Sequence, residues 1–218
     1  MKNYYGIYRN VRNAAWQFLL DFRIKRLPVD SFVSICTDMN VLAVSYRESE
    51  DLIRTLGLAS QAAANEGFTI CFEDRWTIFY NDENRSFASI NFVIAHELGH
   101  ILLGHKFRSA DSIRSKTSMA MQDKDAKKKR DKYEREADMF AVRVLAPAFV
   151  LKELNIKDYT DIMLLCYLPK DRAIQRANRM KQLMQRDQFY KSQLELKLLK
   201  QFGPFIESVK QRQVLHTF

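Results

Sequence analysis

The sequence predicts an α+β fold, with a small sheet in the N-terminal half, a long apolar helix after it and a C-terminal stretch that is all helix. Three observations carry that expectation. Residues 67–72 and 76–80 are rich in aromatic and β-branched side chains, and Glu73-Asp74-Arg75 separates them as a hairpin turn would. Phe92-Val93-Ile94-Ala95 and Ile101-Leu102-Leu103 form one apolar helical run, with Gly104 placed to end it. From residue 147 onward helical periodicity is broken only by short turns.

Taken in order, residues 4–26 read as an amphipathic helix, because Tyr4, Tyr8, Val11, Ala15, Phe18 and Phe22 keep helical spacing up to Leu27-Pro28. Asp30 is placed to cap a second helix running to about Cys36. Residues 41–46 read as a strand and 49–57 as a helix stopped by Gly57. The hairpin follows, and a polar turn over 81–84 leads into the apolar helix. Residues 106–132 hold few large apolar side chains and include Lys127-Lys128-Lys129-Arg130, which predicts a long, basic, mobile loop or a weakly held helix. Residues 133–147 read as a second amphipathic helix, with Ala137, Phe140, Ala141, Val144 and Leu145 on one stripe. Residues 162–168 and 172–184, around Pro169-Lys170-Asp171, resemble a helix-turn-helix. In the tail, Leu194, Leu198, Phe202 and Phe205 suggest two core helices broken at Gly203-Pro204. The expected organisation is a body over 1–150 and a helical extension over 151–218.

Bulk properties narrow the function classes. A chain of 218 residues with 47% hydrophobic content can bury a proper core. No apolar run approaches the length of a membrane span, and Arg9, Arg12 and Asp21 interrupt any apolar leader. The cysteines Cys36, Cys71 and Cys166 are odd in number and far apart, as expected of reduced thiols in a cytoplasmic protein. Residues 106–132 carry a net charge of +6 and residues 170–218 a net +7; against a total of +9 the rest of the chain is −4. The basicity therefore belongs to one insert and one tail.

The apolar helix contains His96-Glu97-Leu98-Gly99-His100, which is His-Glu-x-x-His. Residues four apart lie on one face of a helix, so His96 and His100 can both point at one ion. Glu97 projects about 100° around the axis, from where it reaches a water beside that ion and has the position of a general base. A carboxylate in so apolar a run needs a reason, because burying it unpaired is expensive. Catalytic zinc usually takes three protein ligands. His105 sits beyond the Gly104 stop at a spacing that fits the longer three-histidine signature poorly, and reads as structural or solvent-facing. Glu134 and Asp138 share a face of the second amphipathic helix. Glu134 is placed to bind zinc, and Asp138 to accept the outer N–H of a ligating histidine. Glu136 lies on another face and reads as a solvated acidic residue at a helix start.

The run Ala95-His96-Glu97-Leu98-Gly99-His100, followed by Glu134-Arg135-Glu136-Ala137-Asp138-Met139-Phe140-Ala141 and Leu145-Ala146-Pro147, resembles the ImmA/IrrE family of zinc metallopeptidases. Residues 76–81 and Leu103-Gly104-His105 add to the likeness, which is sharp from Trp76 to Pro147. Where the family usually has Arg-Phe-Thr-Ile-Ala, this chain has Asn91-Phe92-Val93-Ile94-Ala95, a change that touches no inferred ligand. The resemblance implies a zincin-like fold with a thermolysin-like site, in which His96, His100 and Glu134 hold Zn2+ and Glu97 is the base. It also implies a narrow protein substrate, a helix-turn-helix transcriptional repressor of a mobile element or stress response, cut at one site. Tyr80, Tyr133 and His105 are the candidate donors to the oxyanion. By fold-level analogy the second hairpin strand, which leads into the apolar helix, would be an edge strand that pairs with an extended substrate. The rival expectations are a non-catalytic module that binds DNA or a repressor through the basic segments, and a closed structural zinc site with His105 as fourth ligand.

Overall fold

The computed structural model describes residues 2–105, 124–185, 189–190 and 192–215. Its contacts gather the chain into two compact units, one over Ser31–Asp138 and one, discontinuous in sequence, of Met1–Asp30 with Met139–Phe218. This partition by contacts differs from the expected boundary at residue 150. Among the described residues, no helix is long and apolar enough to cross a membrane.

The unit over 31–138 is built on a three-stranded sheet of order β1-β3-β2, with β1 Val41–Ser45, β2 Gly67–Phe72 and β3 Arg75–Tyr80. β2 and β3 form the expected hairpin, in register Phe68 to Phe79 and Thr69 to Ile78. Glu73 and Asp74 both take positive φ, which a tight hairpin turn requires and which Asp tolerates better than most residues. β1 joins β3 in parallel. Among the described residues β3 is therefore central, and the edges belong to β1 and β2. That corrects the expectation of an edge at the strand leading into the metal helix.

Alternation along the strands gives the sheet two different faces. One carries Ile70, Phe79 and the stacked pair Phe68–Phe79 (5.0 Å between centroids), which pack with Ile53 of α3 (Glu50–Thr55), with Leu58 and with Ala62 of α4 (Ala59–Ala64). The other carries Gly67 and Thr69 and meets α5 (Phe87–Leu102). There β2 and α5 approach so closely that a Cβ on Gly67 would stand 2.4 Å from Val93 Cγ1. The second helix, α2 (Phe32–Asp38), is fixed to α5 by the Phe32 amide, which donates to Asn91 Oδ1 at 3.2 Å. Ser31, not Asp30, stands at its N-cap; Asp30 pairs instead with Arg26, at 3.1 Å.

α6 (Lys124–Leu145) carries the second sequence motif. The described part of the helix runs from Lys124 and takes in Lys127 to Arg130, so for 124–132 the helix alternative holds and the mobile loop does not; 106–123 lie outside the described residues. Repeated helix formers, Lys, Ala, Arg and Glu, account for the early start. The apolar stripe Ala137, Phe140, Ala141, Val144 and Leu145 is fully buried as expected, each large side chain contributing about 1.5–3 kcal/mol.

The other unit is helical: α1 (Lys2–Asp21), the end of α6, α7 (Ala148–Glu153), α8 (Tyr159–Cys166), α9 (Lys170–Gln185) and α10 (Gln193–Leu215). Its core joins Phe18 to Phe140 and Phe149 to Phe202, both pairs edge-on. α1 ends five residues earlier than the periodicity suggested, because Arg23 turns left-handed and the Ile24 amide closes on Leu19 O. α10 is continuous through Gly203-Pro204, so the expected break is corrected. Pro204 removes one backbone donor, but burial of Leu198, Phe202 and Ile206 on one stripe, and Gln201 donating to Leu19 O and Ile24 O, hold the helix to α1. α8, the turn at left-handed Tyr167 and α9 match the paired helices read near 162–184.

Candidate metal centre

The site is assembled on α5 and the first half of α6, within the unit over 31–138. α5 begins at Ser86, whose Oγ accepts from the Ser89 amide. It ends in a Schellman motif: Gly104 takes φ +64, its amide donates to Ile101 O and the His105 amide donates to His100 O. That reversal folds His105 back over the last turn of α5.

Four side chains then converge. His96 Nε2 stands 3.0 Å from His100 Nε2 and 3.2 Å from Glu134 Oε2, and His100 Nε2 stands 3.6 Å from the same Glu134 oxygen. The outer nitrogen of His96, Nδ1, donates to Asp138 Oδ1 at 2.9 Å. Of the three inner groups Glu134 is the open one, its side chain 55% exposed against 16% for His96 and 12% for His100. The sequence-read residues His96, His100, Glu134 and Asp138 are thus brought together.

His105 and Glu136 occupy places the sequence did not suggest. Both are buried, and His105 donates from Nε2 to Glu136 Oε2 at 3.0 Å while its Nδ1 faces His100 Nδ1 at 3.0 Å. Burial, which outweighs the Glu136 hydrogen bond, holds the His105 pKa below the usual histidine value, so it is neutral at pH 7. A neutral ring with its proton on Nε2 accepts at Nδ1, so His100 donates from its own Nδ1. Tyr133 stacks on His105 at 4.3 Å, and Lys132 Nζ lies 3.6 Å from Glu136. His105 is therefore neither solvent-facing nor an oxyanion donor, since both its nitrogens are engaged. Glu136 is not a solvated helix-start residue. The signals that point to this pair are the glycine one residue before His105, which turns the chain back, and the Glu-x-Glu spacing in α6.

These two relays fix both ring orientations. With Nδ1 of each ligand histidine donating outward, both Nε2 lone pairs point inward at each other and at a carboxylate oxygen. Two lone pairs 3.0 Å apart repel unless a cation lies among them. Without a metal a proton takes that part. Although burial lowers the His96 pKa, hydrogen bonds to Asp138 and Glu134 and the charge of Glu97 raise it to about 9. His100 and His96 beside it in turn hold the Glu134 pKa well below the usual carboxylate range. An ion with four ligands at the zinc–nitrogen distance has edges of about 3.3 Å, and the observed edges of 3.0, 3.2 and 3.6 Å bracket that value. Donor set and spacing both fit zinc.

Glu97 is buried beside this cluster, and Thr69 Oγ1 of β2 donates to its Oε2 at 2.7 Å. No sequence signal pairs Thr69 with Glu97; strand alternation alone puts Thr69 on the α5 side. Burial raises the pKa of Tyr46 and of Tyr80, with Glu97 adding to the rise at Tyr46 and Glu48 at Tyr80, so both phenols remain O–H donors at neutral pH.

Comparison with curated proteins and with solved structures finds no match. The family model described as the IrrE N-terminal-like domain, Peptidase_M78, matches residues 52–169, a span that includes β2, β3, α5 and α6 with every residue of the cluster. Since that span is more than half of the 218 residues, the chain belongs to the ImmA/IrrE peptidase family.

Proposed function

We propose that the chain is a zinc-dependent endopeptidase of zincin-like architecture, and that its substrate is a helix-turn-helix transcriptional repressor cut at one site. The observation that carries the chemistry is the convergence of His96 Nε2, His100 Nε2 and Glu134 Oε2 with a buried carboxylate, Glu97, on the same helix. His96, His100 and Glu134 would hold the ion. Zinc supplies a water acidified to near neutral pKa and a Lewis acid for the peptide carbonyl.

The chain's own groups do the rest. Thr69 holds Glu97 Oε2, which leaves Oε1 to take a proton from the attacking water and pass it to the leaving amine. Asp138 keeps the outer proton on His96, and the His105–Glu136 pair does the same for His100, so that both inner lone pairs stay aimed at one point. Tyr80 is the phenol that stays protonated to meet an oxyanion, since the Tyr46 hydroxyl is taken up by Asn65 O at 3.0 Å. β2 is the edge strand nearest the base, through Thr69, and offers backbone groups to an extended substrate.

The repressor follows from family likeness and not from the geometry. It is tested by incubating purified protein, with and without zinc, with the repressor encoded beside its gene. Discrete fragments that need zinc support the reading. Repressor bound but left intact by zinc-loaded protein points instead to the non-catalytic binding module.

A further inference from the structure

The helical unit contains a second cluster of charge that the peptidase chemistry does not use. A cavity of about 110 Å³ is lined by Arg12, Arg143, Arg176 and Arg179, with Glu195 the carboxylate among its described lining residues. Arg143 and Arg176 are 9% and 5% exposed. Their hydrogen bonds go to neutral groups: Arg143 to Met139 O, and Arg176 through Nε and Nη2 to Ala146 O. Arg179 donates to Gln182 Oε1, and Arg12 makes one long contact to Asn13 while its Nε is buried with no partner. None of the four reaches an ion pair among the described residues. Tyr8 lies under the guanidiniums of both Arg143, at 4.6 Å, and Arg179, at 5.0 Å, and Arg12 lies over Trp16 at 4.8 Å.

Such an arrangement is costly by itself. A guanidinium stays charged at any ordinary pH, and buried charge needs a compensating opposite charge. Here four like charges converge against one carboxylate. Burial, and after it the neighbouring Arg143, lowers the Arg176 pKa to about 9, which still leaves it cationic at pH 7. Stacking on Tyr8 and Trp16 holds the guanidinium planes but supplies no charge. From two buried and two half-buried guanidiniums around one cavity, none in an ion pair among the described residues, we infer that the helical unit is a binding site for a phosphate-type oxyanion, either free or as the head group of a phosphate monoester. Planar forks with donors left over are the chemistry that takes up phosphate oxygens, and a cavity of this size admits one such group.

The test uses the full, zinc-loaded protein and titrates inorganic phosphate and, separately, glycerol 3-phosphate against chloride at equal ionic strength, by calorimetry and by melting temperature. One phosphate group is expected to bind per chain, with a rise in Tm of about 5 °C or more at a hundredfold excess over Kd. Tighter binding of the monoester assigns a larger phosphorylated ligand, and tighter binding of phosphate a free ion; either supports the site. In the double variant Arg12→Gln, Arg179→Gln, whose two positions are half-buried, affinity is expected to fall at least tenfold. Zinc content and peptide cleavage are expected to stay unchanged. In phosphate-free buffer this variant is expected to melt no lower than the parent, because two mutually repelling charges are gone. Absence of saturable binding, equal binding by the variant, or a variant that melts lower in phosphate-free buffer would overturn the inference, the last by showing the arginines to be stacking struts.

Discussion

The chemistry turns on a few side chains whose neighbours decide what they can do. Asp138 was legible from the sequence because i, i+4 spacing puts it on the face of Glu134, and it does meet His96 Nδ1. Asp138→Asn keeps an acceptor but removes the charge, so zinc affinity is expected to fall roughly 10- to 100-fold in chelator competition, and the metal-free protein is expected to lose at pH 7 part of the stability that the raised His96 pKa supplies. Glu136 was misread because a lone acid at a helix start is ordinarily solvated; its burial against His105 depends on a contact across 31 positions that no local pattern encodes. Glu136→Gln leaves size and hydrogen-bonding capacity and removes the charge that fixes the His105 proton on Nε2. Zinc affinity is expected to drop by about tenfold on the same scale, and an unchanged affinity would reduce the pair to packing. Thr69 was not legible at all, since nothing in a strand announces which helix residue it will hold.

Among the elements, those with strong local signals came through and those governed by tertiary packing did not. The hairpin over β2 and β3, with its two-residue turn, and α5 with its glycine stop follow from local chemistry. The start of α6 and the continuity of α10 do not. A basic, core-poor stretch can still be helical when its residues are good helix formers, and a Gly-Pro pair is carried through a helix whose buried stripe lies on both sides of it. The end of α5 joins element to site. Gly104 at φ +64 sets the reversal that brings His105 onto His100. Gly104→Ala has open space for its methyl but strains the backbone. It is expected to cost about 1 kcal/mol in unfolding free energy. Zinc affinity is expected to weaken as well, because the turn that aims His105 is loosened. A variant that loses stability but keeps full zinc affinity would separate the turn from the metal.

For the whole molecule, charge and protonation link the site to stability. In the metal-free protein the His96 pKa is raised from 6.5 to about 9. Its contribution is therefore fully present below pH 6.5 and is lost as pH rises through about 9; by linkage it is no more than about 3 kcal/mol. The Glu134 pKa is depressed, so its contribution is present above its ordinary value and is lost on acidification. Metal-free protein is thus expected to melt lower at pH 9 than at pH 7, while zinc-loaded protein, with His96 already deprotonated, shows less of that fall. Zinc binding at pH 7.5 should release about one proton, read from calorimetry in buffers of different ionisation enthalpy. The site was more legible than the molecule around it, because metal ligands obey spacing rules along a helix, whereas the gathering of residues 1–30 with 139–218 rests on contacts such as Phe18–Phe140 that lie far apart in sequence.

One measurement bears most directly on the proposed chemistry: cleavage of the repressor by Glu97→Gln, with zinc content determined on the same preparation. The amide keeps the size of Glu97 and its place beside Thr69, and none of the three inner ligands changes. About one zinc per chain, a Tm near that of the parent and cleavage reduced by at least ~10²-fold are expected, because a positioned base is worth that much. A zinc-loaded Glu97→Gln protein that still cut the repressor at the parental rate would contradict the assignment of Glu97 and the mechanism built on it.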